Sequence, residues 1–274
     1  MSKDISHIIR DWDYEPDKMS VRLVAGDDDR ELIQVRLELG VLQLEIEGRP
    51  DGRKIDGEQS WLDFFEHTQQ MHDAANPDGT PFMLEPEDCE RLLREGIQYY
   101  HRYTSFWHLK RYELCARDTN RNLRLFRFVK AHARRDRDKL QFDQWRPYVI
   151  MMHTKAVATP LLQLQDVAAA VGAIDAGITA IGQFLSEYQQ EHRAADCVEL
   201  VQLERWRKEL NDDQQGAPPH AEASEQTPLE RLQEALRLAV AEERFEDAAR
   251  LRDDLHEWTE QQSEPREDRE DENR

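Results

Sequence analysis

The spacing of apolar residues changes once along this chain, and that change constrains the fold more than any other feature. From Val21 to Ile46 the apolar residues alternate: Val21 and Leu23, then Ile33, Val35, Leu37 and Leu39, then Leu42, Leu44 and Ile46. Period two puts such a set on one face of a strand. Turn-forming residues at 26–30 and 48–52 separate the runs, so the pattern predicts a small antiparallel sheet with one buried face. Asp27, Asp28 and Asp29 lie in the first turn, without the spaced ligands and closing glutamate of a calcium loop. Beyond residue 60 the spacing becomes three and four. Trp61, Phe64, Phe65, Thr68 and Met71 or His72 mark an amphipathic helix expected to cover the sheet, so residues 1–80 read as an α+β domain.

From residue 85 to 211 the chain reads as a helical domain, which makes the fold class α+β but mostly α. Glu85, Pro86, Glu87 and Asp88 start it, with proline at the first helical position and carboxylates where the helix dipole favours them. The segment from Tyr99 to Phe128 resembles a tetratricopeptide (TPR) hairpin, with a turn at Leu109, Lys110 and Arg111. An offset of 55 residues sets Leu164, Val167, Ala170, Ile174, Ile178 and Ile181 beside Leu109, Tyr112, Cys115, Thr119, Leu123 and Phe126. The glycine and alanine positions of a TPR are mostly missing and its usual period is shorter, so a plain helical bundle fits the same pattern. A last helix, Ala194 to Leu210, carries Val198, Val201, Leu203 and Trp206. Residues 212–226 have linker composition, and the charged tail 259–274 lacks apolar residues, the composition of disorder.

Between linker and tail lies TPLERLQEALRLAVAEERFEDAARLRDDLHEW, residues 227–258. Thr227 suits the N-cap, Pro228 the first helical position and Glu230 the capping box. Leu229, Leu232, Leu236, Ala239 and Val240 form one stripe; after a break at 242–244, Phe245, Ala248, Ala249, Leu251, Leu255 and Trp258 form another. A helical hairpin is expected, with the alanines allowing close approach. Chains under about 40 residues seldom bury enough surface to stand alone, so its stripe calls for a partner. The stretch resembles the UVR motif, the hairpin found in UvrB, UvrC, some Clp ATPases and their adaptors. Leu232, Ala239, Phe245, Glu246, Ala248, Ala249, Leu251, Arg252, Asp253 and Leu255 carry the resemblance, and Leu236 belongs to the same stripe. It implies a docking element for a protein with a UvrB/UvrC-like hairpin or for a Clp-type ATPase, with self-association a further mode.

Charge and chemistry narrow the function classes. A net charge of −20 over 274 residues opposes wholesale coating of nucleic acid. One segment, 102–139, is nevertheless rich in arginine and lysine. Within it Arg117, Arg121 and Arg124 share a helical face, which suits nucleic acid, as an accessory of excision repair, an acidic protein partner, or internal pairing with the acidic N-terminal domain or tail. Three dispersed cysteines, Cys89, Cys115 and Cys197, form no zinc or disulfide framework and fit a cytoplasmic protein. The histidines lack the spacing of a helical zinc site, so no metal or cofactor is expected. No phosphate loop or nucleophile elbow is present, nor are the nuclease signatures of UvrC or the Walker motifs of UvrB and Clp proteins. A non-enzymatic interaction protein is therefore expected. No uninterrupted run of about 18 apolar residues occurs, and no membrane partner is expected.

Overall fold

The computed structural model describes residues 4–214 apart from 17, 27–29 and 78. Met1–Gln214 is one compact unit. After a single helical turn, α1 (Ser6–Ile9), come three strands, β1 (Val21–Ala25), β2 (Glu31–Leu37) and β3 (Gly40–Glu45). They form an antiparallel sheet in that order. Leu23 faces Ile33 and Ile33 faces Leu44; Val21 faces Val35 and Val35 faces Leu42. The alternating residues thus line one face and enter the core with Tyr103, Phe106 and Cys115. Alternation overshoots at the β2–β3 turn. Leu37 pairs with Gly40, which leaves Glu38 and Leu39 as a two-residue loop, and Leu39 is 91% exposed rather than on the buried face.

Eight helices are described, and the last seven make the body: α2 (Trp61–Ala75), α3 (Pro86–His108), α4 (Tyr112–His132), α5 (Asp136–Asp143), α6 (Arg146–Gln163), α7 (Val167–Glu187) and α8 (Val198–Gln214). Ser60 caps α2, its hydroxyl accepting from Asp63 N at 3.1 Å. The expectation that α2 covers the sheet is corrected. Leu62 and Phe65 pack with Leu84, Cys89, Leu92 and Leu125 in a second cluster, while α3 and α4 supply Tyr103, Phe106 and Cys115 to the sheet face. The apolar stripe of α2 shows that it must pack, not against what. At α3 the expected start is present as a full capping box, Glu85 and Asp88 each accepting from the other's backbone N–H.

From α3 onward, neighbours in space follow the chain: α3 on α4, α4 on α6, α6 on α7 and α7 on α8. The α3–α4 and α6–α7 turns, 55 residues apart, have the same geometry. Lys110 (φ 57°) and Gln165 (φ 61°) are left-handed. Arg111 N donates to Phe106 O at 2.8 Å and Asp166 N to Leu161 O at 2.9 Å. Lys110 N reaches Trp107 O and Gln165 N reaches Leu162 O, both at 3.0 Å. Each is a Schellman ending followed at once by a new helix. Burial repeats as well: Cys115, Thr119 and Phe126 are buried, and so are Ala170, Ile174 and Ile181.

Three details differ from the sequence reading. Glu191–Asp196 is 3₁₀ and α8 begins at Val198, running to Gln214 past the expected linker start; Val201 on it is exposed. Residues 1–80 and 85–211 feed one core, since sheet and helix residues share a cluster. Lastly, α7 is long and apolar enough to cross a membrane by length and composition, with mean hydropathy 1.5. Before the terminal Glu187 its one charged residue is Asp175. In the structure that carboxylate pairs with Arg207 of α8, and Ala170, Ile174, Gly177, Ile181 and Leu185 turn into the core.

Candidate functional site

The seam between α3 and α4 is where the sequence-predicted arginines come together. On α3 the seam positions are Leu92, Glu95, Tyr99, Arg102 and Phe106, spaced alternately three and four; on α4 they are Cys115, Asp118, Asn122, Leu125 and Val129. Four of these ten are polar, and all four are buried. The helices approach closely at Gly96, where an added Cβ would lie 3.1 Å from Leu125 Cδ2. Its carbonyl accepts from Asn122 Nδ2 at 3.0 Å, so the polar group is satisfied where the backbones are nearest.

Arg102 is the centre of the seam. Its Nη1 donates to Glu45 O at 3.0 Å and Gly48 O at 2.8 Å, joining the helix to the chain that follows β3. Its Nε and Nη2 grip Asp118, and Tyr99 stacks 4.7 Å from the guanidinium carbon. Glu95, fully buried, accepts from Trp61 N at 2.8 Å and Leu62 N at 3.2 Å, the first free N–H groups of α2. Arg121 pairs with the same carboxylate, and Arg49 Nε lies 3.4 Å away.

All three candidate arginines are engaged. Arg117 reaches Glu47 at 2.7 Å, Asp118 at 3.0 Å and Ile46 O at 2.7 Å. Burial alone would lower its pKa, but Asp118 and Glu47 raise it above the usual arginine value. Arg121 lies over the Tyr99 ring at 4.0 Å besides holding Glu95. Arg124 bridges Asp63 at 2.6 Å and Glu66 at 3.1 Å on α2. Burial pushes Glu66 up in pKa even against Arg124. Arg117 and Arg124 thus clasp residues 46–66, the internal pairing that the acidic N-terminal region allows, while Arg121 holds Glu95 of α3. Exposed cations without a carboxylate partner among the described residues include Arg127 and Arg137 on the same segment.

Other reactive groups are closed. Burial pushes the Cys89 thiol up to about 11 and the Cys115 thiol up to about 12, far from a reactive thiolate. Among the described residues no group of three or more His, Cys, Asp or Glu is placed to hold a metal ion.

Sequence reasoning missed Arg102, Glu95 and Asp118 as structural anchors. The signal was present. Each occupies an apolar-stripe position flanked at three and four residues by Leu92, Tyr99, Phe106 or Cys115, and a charge on such a stripe is buried and paired.

The hairpin residues Leu232, Leu236, Ala239, Phe245, Ala248, Ala249, Leu251, Arg252, Asp253 and Leu255 lie outside the described residues, as do the tail and the linker beyond Gln214. Comparison with known families bears on them directly. Residues 226–257 match the family model described as the UvrB/uvrC motif. The chain therefore carries a UVR motif, one found in proteins of DNA repair and in Clp-interacting adaptors. No curated protein and no solved structure matches the chain, and the TPR-like reading of the body is not carried by these comparisons.

Proposed function

We propose that this chain is a non-enzymatic cytoplasmic interaction protein that docks a partner through its C-terminal UVR hairpin. The observation that carries the reading is the motif match over residues 226–257. The partner is a protein with a UvrB/UvrC-like hairpin, a Clp-type ATPase, or a second copy of the same hairpin. The engagement of Arg117, Arg121 and Arg124 by carboxylates supports a helical body that acts as a carrier rather than as the recognising surface.

The test is a pull-down on the full chain against purified UvrB-type hairpin, Clp-type ATPase and the chain itself, with Phe245→Ala and Ala249→Glu in parallel. Loss of Phe245 removes a large apolar group from so small a unit, and glutamate at 249 keeps helix propensity while charging the contact. Capture of one of the three by the parent chain, lost in both variants whose body melts unchanged, supports the reading. Capture that survives both variants overturns it. The rival reading, an excision-repair accessory that binds nucleic acid through helices 102–139, predicts affinity that falls steeply with salt and weakens on Arg127→Glu. Arg127 suits that test because, unlike Arg121, it anchors no buried carboxylate.

A further inference from the structure

The sheet has a free edge with a chemistry of its own. Arg36 N donates to Ser20 O at 2.9 Å and Gly26 N to Arg30 O at 2.7 Å, at either end of the β1–β2 ladder. With the register Arg22 to Gln34 and Val24 to Leu32, the even-numbered residues of β1 exchange hydrogen bonds with β2. Val21, Leu23 and Ala25 therefore turn their N–H and C=O groups the other way. None of those six groups has a partner among the described residues. β1 carries no proline or lysine to block pairing.

Two hollows flank this edge. One, about 250 Å³, is bordered by Leu23, Val24, Ala25 and Glu31. The other, about 740 Å³, opens over the solvent face of the sheet and is lined by Asp11, Arg22, Val24, Arg30, Leu32 and Gln34 among others. Two arginines, Arg22 and Arg30, against the single carboxylate of Asp11 leave that second hollow net positive, and Arg22 lies on the edge strand itself. Its guanidinium stacks 3.9 Å over Trp12 and donates to Gln34 Oε1 at 3.0 and 2.8 Å, and Gln34 Nε2 donates in turn to Gln43 Oε1 at 3.0 Å. A half-buried cation is thus held in place by a neutral amide, with no carboxylate among the described residues paired to it. An incoming carboxylate would find a donor already oriented.

We propose that β1 accepts an added strand, an extended peptide of another protein that sets an acidic side chain beside Arg22 and small apolar side chains on the opposite face beside Val21 and Leu23. The outward N–H and C=O groups supply the ladder, and alternate side chains reach the two hollows. A second copy of β1 fits less well, because pairing two such edges would bring no carboxylate to either Arg22. The site is separate from the hairpin and does not depend on it.

The probe is a fluorescent Thr-Val-Glu-Val-Thr peptide titrated into the full chain, beside its Glu-to-Lys counterpart and a version N-methylated at the valine amides. Expected is saturable binding of the glutamate peptide, loss on N-methylation, and at least about fivefold preference over the lysine peptide. Arg22→Glu reverses that preference in a chain with unchanged circular dichroism. Leu23→Pro, which removes an outward N–H along with a side chain packed on the core, abolishes binding; should it unfold the chain, the reversal at Arg22 carries the test alone. Amide exchange reads the free state: Val21 and Leu23 exchange fast, Arg22 and Val24 slowly. No binding at millimolar peptide, equal binding of the N-methylated peptide, or a dimer in which Val21 and Leu23 are protected each overturns the proposal.

Discussion

Arg102 and Asp118, each 1% exposed, meet across the α3–α4 seam in a two-point ion pair, Nε to Oδ2 at 2.6 Å and Nη2 to Oδ1 at 3.0 Å. A pair so buried contributes little net stability over an apolar replacement, yet removing one partner strands the other charge. Asp118→Asn is expected to cost about 3–5 kcal/mol. Urea unfolding checks this as a lower midpoint with unchanged slope. A cost below about 1 kcal/mol would mean that water reaches the seam.

Two glycines of α7 should respond to alanine with opposite sign. At Gly177 an added Cβ would collide with Thr154 Oγ1 and lie 3.1 Å from Leu203 Cδ1, so these side chains of α6 and α8 must give way. Gly177→Ala is expected to destabilise by about 1–3 kcal/mol despite better helix propensity. At Gly172 nothing lies within 4 Å. Gly172→Ala should stabilise by up to about 1 kcal/mol. Calorimetry on both variants reads the contrast directly.

His153 ties stability to pH. Burial lowers its pKa below the usual 6.5, against the opposing effect of its hydrogen bond to Ala116 O. The folded chain thus holds the ring neutral while the unfolded chain takes up a proton near pH 6.5. Its contribution is complete above that pH and is lost as pH falls from there through the lowered folded value. His108, lowered by burial, acts in the same direction. Glu187, held at about 2 by Arg146 and Lys130, does not titrate in this window. Urea midpoints measured between pH 7.5 and 5 should fall, and by less in His153→Gln.

The Schellman turns that end α3, α6 and α7 carry side-chain-bearing residues in the left-handed position, Lys110, Gln165 and Gln189. An L-residue there costs about 1–2 kcal/mol, partly offset because glycine gains freedom in the unfolded chain. Lys110→Gly and Gln165→Gly should each stabilise by about 0.5–1 kcal/mol, and the double variant shows whether these two turns, at the ends of the packed helices α4 and α6, are coupled. Thermal melts of the singles and the double read both the size and the coupling.

What the sequence disclosed follows from how local the physics is. Period two placed Val21, Leu23, Ile33, Val35, Leu42 and Leu44 on the core side because each strand's pleat is set by its own residues. Pro86 and the Glu85–Asp88 box marked the start of α3 for the same reason. The failures are non-local. The alternation at Leu37 and Leu39 says nothing of where the chain reverses, and the stripe of α2 names no target. The arginines of α4 read as a basic surface because their partners, Glu47, Asp63, Glu66 and Glu95, are 26 to 70 positions away. The UVR stretch was legible since a hairpin motif keeps all its defining contacts within about thirty residues.

The reach of Arg102 also gives the chain an order of assembly. Its bond to Asp118 spans 16 positions, whereas those to Glu45 and Gly48 span 57 and 54. Short closures come before long ones, because chain entropy must be given up before distant contacts repay it. The α3–α4 hairpin is therefore expected to form first, and the sheet to dock onto a guanidinium already oriented by its aspartate. Changes at Asp118 should slow folding, while changes around Gly48 should leave the folding rate nearly untouched and let the sheet peel away faster.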